Sequence, residues 1–409
     1  CCVNVTLHEN LNQKDRIHMT DTLPIPFARP WITDEDRHAV LEVLSGHILT
    51  HGPQCKSFEQ EFAAFLGGGH CVSVSSCMAA LHLAYLHFGI GPGDEVIVPA
   101  QTHAATAHAV EWVGATPVFA DCESGTGNLT VSAIEAALTP KTKAISVVHF
   151  AGIPCDMPPI VDLAQRYNLR IVEDCAIALG ARHRGRHVGL FGDAGCFSFY
   201  PVKHMTTGEG GMFVSRHEGV SQAVAKLRAF GVDRTHSERT VPGMYDVPSL
   251  GLNYRMSEIQ AALGRSQLRR MSVVLAQRAS QFDRYRKLVG DLSNVRLIDT
   301  DAAECRSSHY CASVVFEGEN ASKRNEMVER LNGAGIGTSI YYPQPVPRMT
   351  YYRNKYGFVP GSYSQAAHIS DHSVALPLGM HVADGDVERI VATLKCSLTE
   401  SASGKGLTR

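Results

Sequence analysis

The sequence predicts an α/β protein: a mostly parallel sheet flanked by helices, followed by a smaller α+β unit. Three observations carry this. From about residue 33 to 230, short β-rich runs alternate with helical ones. Those runs are nearly continuous in Val, Ile and Ala, as strands covered on both faces are. At 409 residues the chain also exceeds what one hydrophobic core usually serves.

The elements follow in order. Thr33-x-x-Asp36 opens a helix, with Ala39, Val40, Val43 and Leu44 behind it. Phe58, Phe62, Phe65 and Leu66 recur at helical spacing. Strands are then expected at 70–75, 95–99, 116–120, 143–149 and 169–173, each followed by a helix or turn: 79–88, 104–113, 131–138 and 159–167 are helical. After Asp174 the pattern changes to strands at 194–199 and 211–215 around a Gly-rich loop, a helix at 220–230, and one or two helices over 256–290. A strand at 311–316, a helix at 323–332, a Pro/Tyr-rich loop at 341–358 and a helix at 384–398 complete the chain. We divide it into an extension (1–24), a large unit (25–270), a small unit (271–399) and a tail (400–409).

Composition narrows the function. The chain is 44% hydrophobic and 19% charged with net charge −2, so no basic field offers itself to nucleic acid or an anionic membrane. No apolar run reaches the roughly 18 residues that span a bilayer. Residues 1–18 are polar, aperiodic and precede Met19; they are expected to take no part in the fold. The 12 cysteines form no C-x-x-C pair. Those in apolar segments, such as Cys71, Cys175 and Cys196, read as small hydrophobes, and no metal site is expected.

Four segments carry chemistry. In Ser198-Phe-Tyr-Pro-Val-Lys203, strand alternation puts Phe197 and Phe199 on one face and Ser198 on the other, and Pro201 ends the strand. Lys203 then stands in a loop ending in three glycines among four residues, where backbone can approach a ligand. A lysine there suits a Schiff base to an aldehyde cofactor, and the serine a phosphate; the ordinary alternative is a solvated loop lysine. Asp174 sits at the carboxyl end of a buried strand, where open α/β sheets bind ligands. It suits the anion needed at a pyridine nitrogen, or simply caps a helix. Ser76-Cys77-Met78 turns a strand sharply into a helix, aiming backbone N–H groups at one point, as a phosphate requires. His103, at another strand end, offers a flat ring to a cofactor, or is one of 20 histidines with an ordinary role.

In order and spacing, these segments resemble the DegT/StrS family of sugar aminotransferases. The similarity runs from Ile25-Pro-Phe-Ala-Arg-Pro30 to Val387-Glu-Arg-Ile-Val391 and includes Thr207-Gly-Glu-Gly-Gly211, Asn253-Tyr-Arg-Met-Ser-Glu258 and Gly335-Ile-Gly-Thr338. The resemblance implies a fold-type I aminotransferase with a seven-stranded sheet, dependent on pyridoxal 5'-phosphate. It implies that Lys203 attaches the cofactor and moves a proton, that Asp174 faces the pyridine nitrogen, and that Ser198, Cys77 and Met78 hold the phosphate. His103 stands at the ring-stacking position. Asn253 matches an asparagine that reaches the neighbouring subunit's cofactor, which implies a homodimer with shared active sites. A cytoplasmic enzyme moving an amino group from glutamate or glutamine to a keto sugar follows, for surface-polysaccharide or secondary-metabolite synthesis.

This chain departs from the family pattern at three places. Met78 stands where threonine is frequent, Ile177 where a glutamine contacts the cofactor's ring hydroxyl, and Tyr341 where histidine is frequent. Tyr341 opens a Pro/Tyr-rich loop expected near the substrate, with Arg348 close by. Nucleotide-activated hexoses, free oxidised sugar acids of the amino-octulosonate type and aminocyclitol precursors are all acceptors in such a family. A keto-sugar dehydratase would carry histidine in place of Lys203. A non-catalytic cofactor-binding regulator would need a DNA-binding module, and none is visible. A nicotinamide enzyme would show G-x-G-x-x-G at the first turn, which reads Ser76-Cys77-Met78-Ala79-Ala80-Leu81.

Overall fold

A computed structural model describes residues 23–233, 241 and 243–402. The expectations for residues 1–18, and for the tail beyond 402, lie outside the described residues.

Two helices lead: α1 (Asp34–Ser45) and α2 (Pro53–Leu66). The expected Thr33/Asp36 capping box is present, with the Thr33 N–H donating to Asp36 at 2.9 Å. Strands and helices then alternate: β1 (His70–Val74), α3 (Cys77–His87), β2 (Glu95–Pro99), α4 (Ala104–Trp112), β3 (Thr116–Ala120), α5 (Val131–Ala137), β4 (Thr142–Val148), α6 (Met157–Arg166) and β5 (Arg170–Asp174). A two-residue hairpin, β6 (Arg182–His183) and β7 (Arg186–His187), separates β5 from β8 (Ala194–Ser198) and β9 (Gly211–Ser215). Next come α7 (Glu218–Leu227), α8 (Glu258–Leu268), α9 (Met271–Gly290), β10 (Val295–Leu297), β11 (Cys305–Arg306), β12 (Ala312–Phe316), α10 (Arg324–Gly333), α11 (Thr350–Tyr356), α12 (Ser364–His372), β13 (Ser373–Leu376) and α13 (Asp386–Ala402).

The main sheet has seven strands in the order β1-β9-β8-β5-β4-β2-β3 among the described residues. All pairings are parallel except the two made by β9. Parallel strands need helical crossovers, and these cover both faces, which is why β2, β4 and β5 each carry consecutive apolar residues such as Val96-Ile-Val98, Val147-Val148 and Ile171-Val172. On one face α2 contributes Phe58 and Phe62, whose rings meet Phe197 and Phe199 of the β8 segment at 5.2–5.6 Å. Each fully buried ring contributes about 2–3 kcal/mol. The same alternation leaves Ser198 facing the other way and only half-buried.

A second sheet, β10-β12-β13, packs with α9, α10 and α13 around Phe282, Tyr285, Phe316 and Leu331. Two expectations for this part are corrected. The 341–358 segment is not all loop: Val346–Arg348 form a 3-10 turn and α11 follows. Its short length, and the prolines before it, hid the helix. The strand β13 and the helix α12 were also missed, because one polar segment carries both.

No helix of the described residues is long and apolar enough to cross a membrane. Ten cysteines are described, all unpaired; Cys175 and Cys196 are buried, whereas Cys71 is half-buried.

Candidate active site

The carboxyl ends of the parallel strands gather most of the expected residues. Asp174 is the last residue of β5 rather than the first beyond it, and is 5% exposed. Its Oδ1 accepts the Ala176 N–H at 3.0 Å and lies 3.8 Å from the Cys77 thiol. Its Oδ2 accepts the Thr106 hydroxyl at 2.8 Å. Thr102 Oγ1 lies 2.8 Å from Thr106 Oγ1. A carboxylate bonded this way only accepts, so Thr106 spends its one proton on Asp174 and Thr102 must donate to Thr106. Both buried hydroxyls therefore point along one line at Asp174 and fix its orientation.

Glu173, one residue earlier, points to the other face. Its carboxylate accepts from His149 Nε2 at 3.0 Å and from the N–H groups of Gly189, Phe191 and Gly192 at 2.6–2.8 Å. The Cys155 N–H donates to His149 Nδ1 at 3.1 Å, so the ring proton sits on Nε2, facing Glu173. Burial pushes the Glu173 carboxyl up, but His149 and the backbone donors outweigh it and hold the group below the usual range. His149, Glu173 and Cys175 bring ligand atoms within 4.8 Å of one another. Both carboxylate oxygens are already engaged, which makes this a closed hydrogen-bonded cluster of the frame.

Lys203 follows β8, its N–H bonded to the Tyr200 carbonyl at 3.0 Å. The Nζ lies 5.1 Å from the centre of the Tyr310 ring and has no hydrogen-bond acceptor among the described residues. Burial pushes its pKa down, while Cys77 and Asp174 act in the opposite sense. A neutral amine is the nucleophilic form.

Sheet register explains how the phosphate-binding candidates meet. Val74 of β1 pairs with Gly211 of β9, and Gly211 pairs with Ser198 of β8, so the three share one level. Ser76 caps α3, its Oγ accepting the Ala79 N–H at 3.1 Å. The N–H groups of Cys77 and Met78 open the helix, with no carbonyl one turn back to receive them. A Cβ on Gly211 would lie 2.4 Å from the Ser76 carbonyl carbon; only glycine lets β9 pass this close to the turn. Ser198 Oγ accepts the Tyr200 N–H at 3.4 Å and keeps its own proton to donate.

The ordinary role expected of His103, a helix cap, is the one the contacts show. It caps α4, Nδ1 accepting the Ala105 N–H at 3.1 Å, while its exposed ring meets the edge of Tyr342 at 5.7 Å. Partial desolvation by the surrounding protein pushes its pKa down, against the pull of Asp174. Asn253 is exposed, pairs with Ala229, and is not brought to the other candidates within this chain.

An aromatic wall faces Lys203. The Tyr310 and Tyr341 hydroxyls lie 2.9 Å apart, and the Tyr341 carbonyl accepts Gln101 Nε2 at 3.0 Å. Gln101 Oε1 accepts the Ser370 hydroxyl at 2.9 Å, and the Val346 N–H bonds the Ala100 carbonyl at 2.9 Å. The residues after β2 thus strap the 341–346 segment over the site. Arg348, expected near the substrate, instead clamps Asp371 with both guanidinium ends. Ile177 is 2% exposed and packs with Phe150 and Tyr310. Sequence reasoning missed Thr102, Thr106, Tyr310 and Gln101. Only Thr106 carried a signal, one turn along the helix that His103 caps.

These residues suit pyridoxal phosphate: an amine without an acceptor, an oriented carboxylate with room left, and open N–H donors at a helix start.

The comparisons agree. The profile of the DegT/DnrJ/EryC1/StrS aminotransferase family matches residues 30–395. The spore coat polysaccharide biosynthesis protein SpsC of Bacillus subtilis is 35% identical over 375 residues, covering 91% of this chain and 96% of that protein. The aminotransferase TlmJ of Streptoalloteichus hindustanus superposes with a TM-score of 0.85 at 31% identity, covering 92% of this chain and 100% of that one. DesV of S. venezuelae, solved in complex with a ketimine intermediate, superposes with a TM-score of 0.84 at 32% identity, covering 91% and 98%. The chain belongs to the DegT/DnrJ/EryC1/StrS aminotransferase family, has the fold-type I architecture and is a pyridoxal-phosphate-dependent transaminase.

Proposed function

We propose that this enzyme moves an amino group from glutamate or glutamine to a nucleotide-activated keto sugar, in the cytoplasm and as a homodimer. The observation that carries the reading is Lys203: a half-buried amine with no acceptor, placed between Asp174 and a tyrosine-lined wall.

When bound, pyridoxal phosphate supplies an aldehyde and an electron-accepting ring, which together let an amino group leave one carbonyl compound and join another. The protein's residues do the rest. Lys203 Nζ would attach the cofactor and carry the proton to and from the amino-bearing carbon. Asp174, held by Thr106 and Ala176, would supply the carboxylate that pairs with the ring nitrogen. Cys77 N–H, Met78 N–H and the Ser198 hydroxyl would hold the phosphate, and the His103 ring would serve the cofactor ring. The hydrophobic Ile177 side chain offers no hydrogen bond to the ring hydroxyl. The Tyr310–Tyr341 hydroxyl pair faces the acceptor and suits a polyol.

The dimer reading is supported by an exposed apolar stretch: Met244, Tyr245 and Val247 are half or more exposed and Leu250 is 93% exposed, beside a cavity of about 1080 Å³. Asn253 follows on the same segment and is exposed, which supports a role toward a second copy. We also keep the division between large and small units at 270/271. In its support, the far end of α9 (Phe282, Tyr285, Val289) packs in the core of the second sheet.

The test is a pair of half-reactions. Glutamate and glutamine are each mixed with cofactor-loaded enzyme, and loss of the visible band is followed. The pyridoxamine form is then offered nucleotide-linked keto hexoses, free keto sugar acids and keto cyclitols. Bleaching by one donor and recovery with a nucleotide-linked acceptor is expected. Recovery only with a free sugar acid or a cyclitol would overturn the acceptor assignment.

A further inference from the structure

A second pocket lies at the far end of the main sheet. β1 and β9 run antiparallel, with Val74 and Gly211 at the Lys203 end and His70 and Ser215 at the other. At that other end, a cavity of about 270 Å³ is lined by Gly67, Gly68 and Gly69 on one side and by Arg182, Arg186 and Arg216 on the other. Its size sits below the range of drug-sized ligand sites, and suits a small group.

Among the described residues, none of the three arginines makes a direct ion pair. Their neighbours Arg170 and Arg184 face carboxylates, Asp193 at 2.9 Å and Glu304 at 3.6 Å. Arg182, Arg186 and Arg216 have no carboxylate within ion-pair distance among the described residues, and no acidic residue lines the cavity. Each instead donates to backbone carbonyls: Arg182 to Gly185 at 3.0 Å and Phe65 at 3.3 Å, Arg186 to Leu190, and Arg216 to Gly192 at 3.3 Å. The Arg186 guanidinium also lies 4.9 Å from the centre of the Phe191 ring. These contacts hold the guanidiniums in place and leave most of their five N–H donors free.

Placing like charges together is unfavourable. Burial and the charge of Arg216 disfavour the ionised form of Arg186 and outweigh the opposing pull of the buried Glu173. An anion in the cavity relieves that repulsion and accepts the free donors. Guanidiniums bind tetrahedral oxyanions in pairs of parallel hydrogen bonds. The glycine run forms a wall without side chains, with positive φ at all three positions, so a ligand meets bare backbone there.

We propose that this cavity is a second anion site, separate from the Lys203 site, which binds a phosphate group either free or carried on a larger molecule. The cofactor-loaded enzyme, freed of excess pyridoxal phosphate so that its own phosphate site is filled, is titrated calorimetrically at constant ionic strength. Inorganic phosphate and uridine diphosphate are the two probes. Saturable binding of at least one is expected, and whichever binds tighter identifies the source. The Arg186→Gln/Arg216→Gln double variant should weaken that binding about tenfold or more. Arg170→Gln, already paired on the same side of the molecule, should leave it unchanged. If the double variant does not fold, Arg216→Gln alone, at an exposed position, should still weaken binding several-fold. Binding that does not saturate, or that is equally tight in the wild type and in the arginine variants, overturns the proposal.

Discussion

Glu173 and Asp174 are consecutive carboxylates at the end of one strand, and they have opposite fates. Glu173 points into the frame, where four donors saturate it. Asp174 lies on the Lys203 side and keeps acceptor capacity to spare after Thr106 and Ala176. A single residue of register separates a carboxylate that holds the fold from one that is available for chemistry. Burial does not tell them apart, since both are nearly inaccessible. Unused hydrogen-bonding capacity does, and Lys203 shares that property.

The contrast can be broken from either side. The largest effect is expected for Glu173→Gln, which sets an amide N–H₂ among backbone donors and His149. It should cost about 3–5 kcal/mol of stability in denaturant unfolding. A variant as stable as the wild type would remove Glu173 from the frame. Asp174→Asn should do the reverse, lowering kcat about 10²–10³-fold while the midpoint of unfolding stays near that of the wild type. Equal losses of stability in both variants would erase the distinction.

Acid should act on the Glu173 side first. His187, bonded to the Gly180 N–H and the Val188 carbonyl, is pushed down to about 4 by burial. Between its unfolded value, roughly 6.5, and that lowered value the unfolded chain takes a proton that the folded chain refuses. Stability therefore falls as pH drops through this window, by about 3 kcal/mol from this residue alone. The Glu173 contribution is present above the ordinary carboxylate range and is lost at lower pH, as the held carboxylate protonates. Stability measured from pH 7 to 4 should show the His187 part disappear in His187→Gln; an unchanged profile would place the sensitivity elsewhere.

The smallest effect belongs to Thr106→Val, which removes one donor to Asp174. About a tenfold loss in kcat/KM is expected, with recovery in Thr106→Ser. No recovery would mean that the methyl group matters and not the hydroxyl.

Much of this was legible in the sequence. Cys77, Asp174, Ser198 and Lys203 could be placed because each stands at or just beyond the end of a β-rich strand, and the strand ends of a parallel sheet converge. The parts that depend on tertiary pairing were not. Thr106 stood one helical turn beyond His103, but its partner Asp174 lies 68 residues away and shows only in the fold. Tyr310 faces Lys203 because the second sheet folds back over the first. The β6–β7 hairpin has two residues in each strand, too few for a period, so the convergence of Arg182 and Arg186 with Arg216 was invisible. Arg348 looked available in the sequence because its partner, Asp371, is 23 residues away on another helix.

The central claim is that Lys203 is the residue which binds the cofactor. The most direct test is borohydride reduction of the pyridoxal-phosphate-loaded enzyme, followed by proteolysis and peptide mass mapping. A single pyridoxyl adduct on the peptide containing Lys203, absent in Lys203→Ala, is the predicted result. An adduct on another lysine, or none in the wild type, would contradict it.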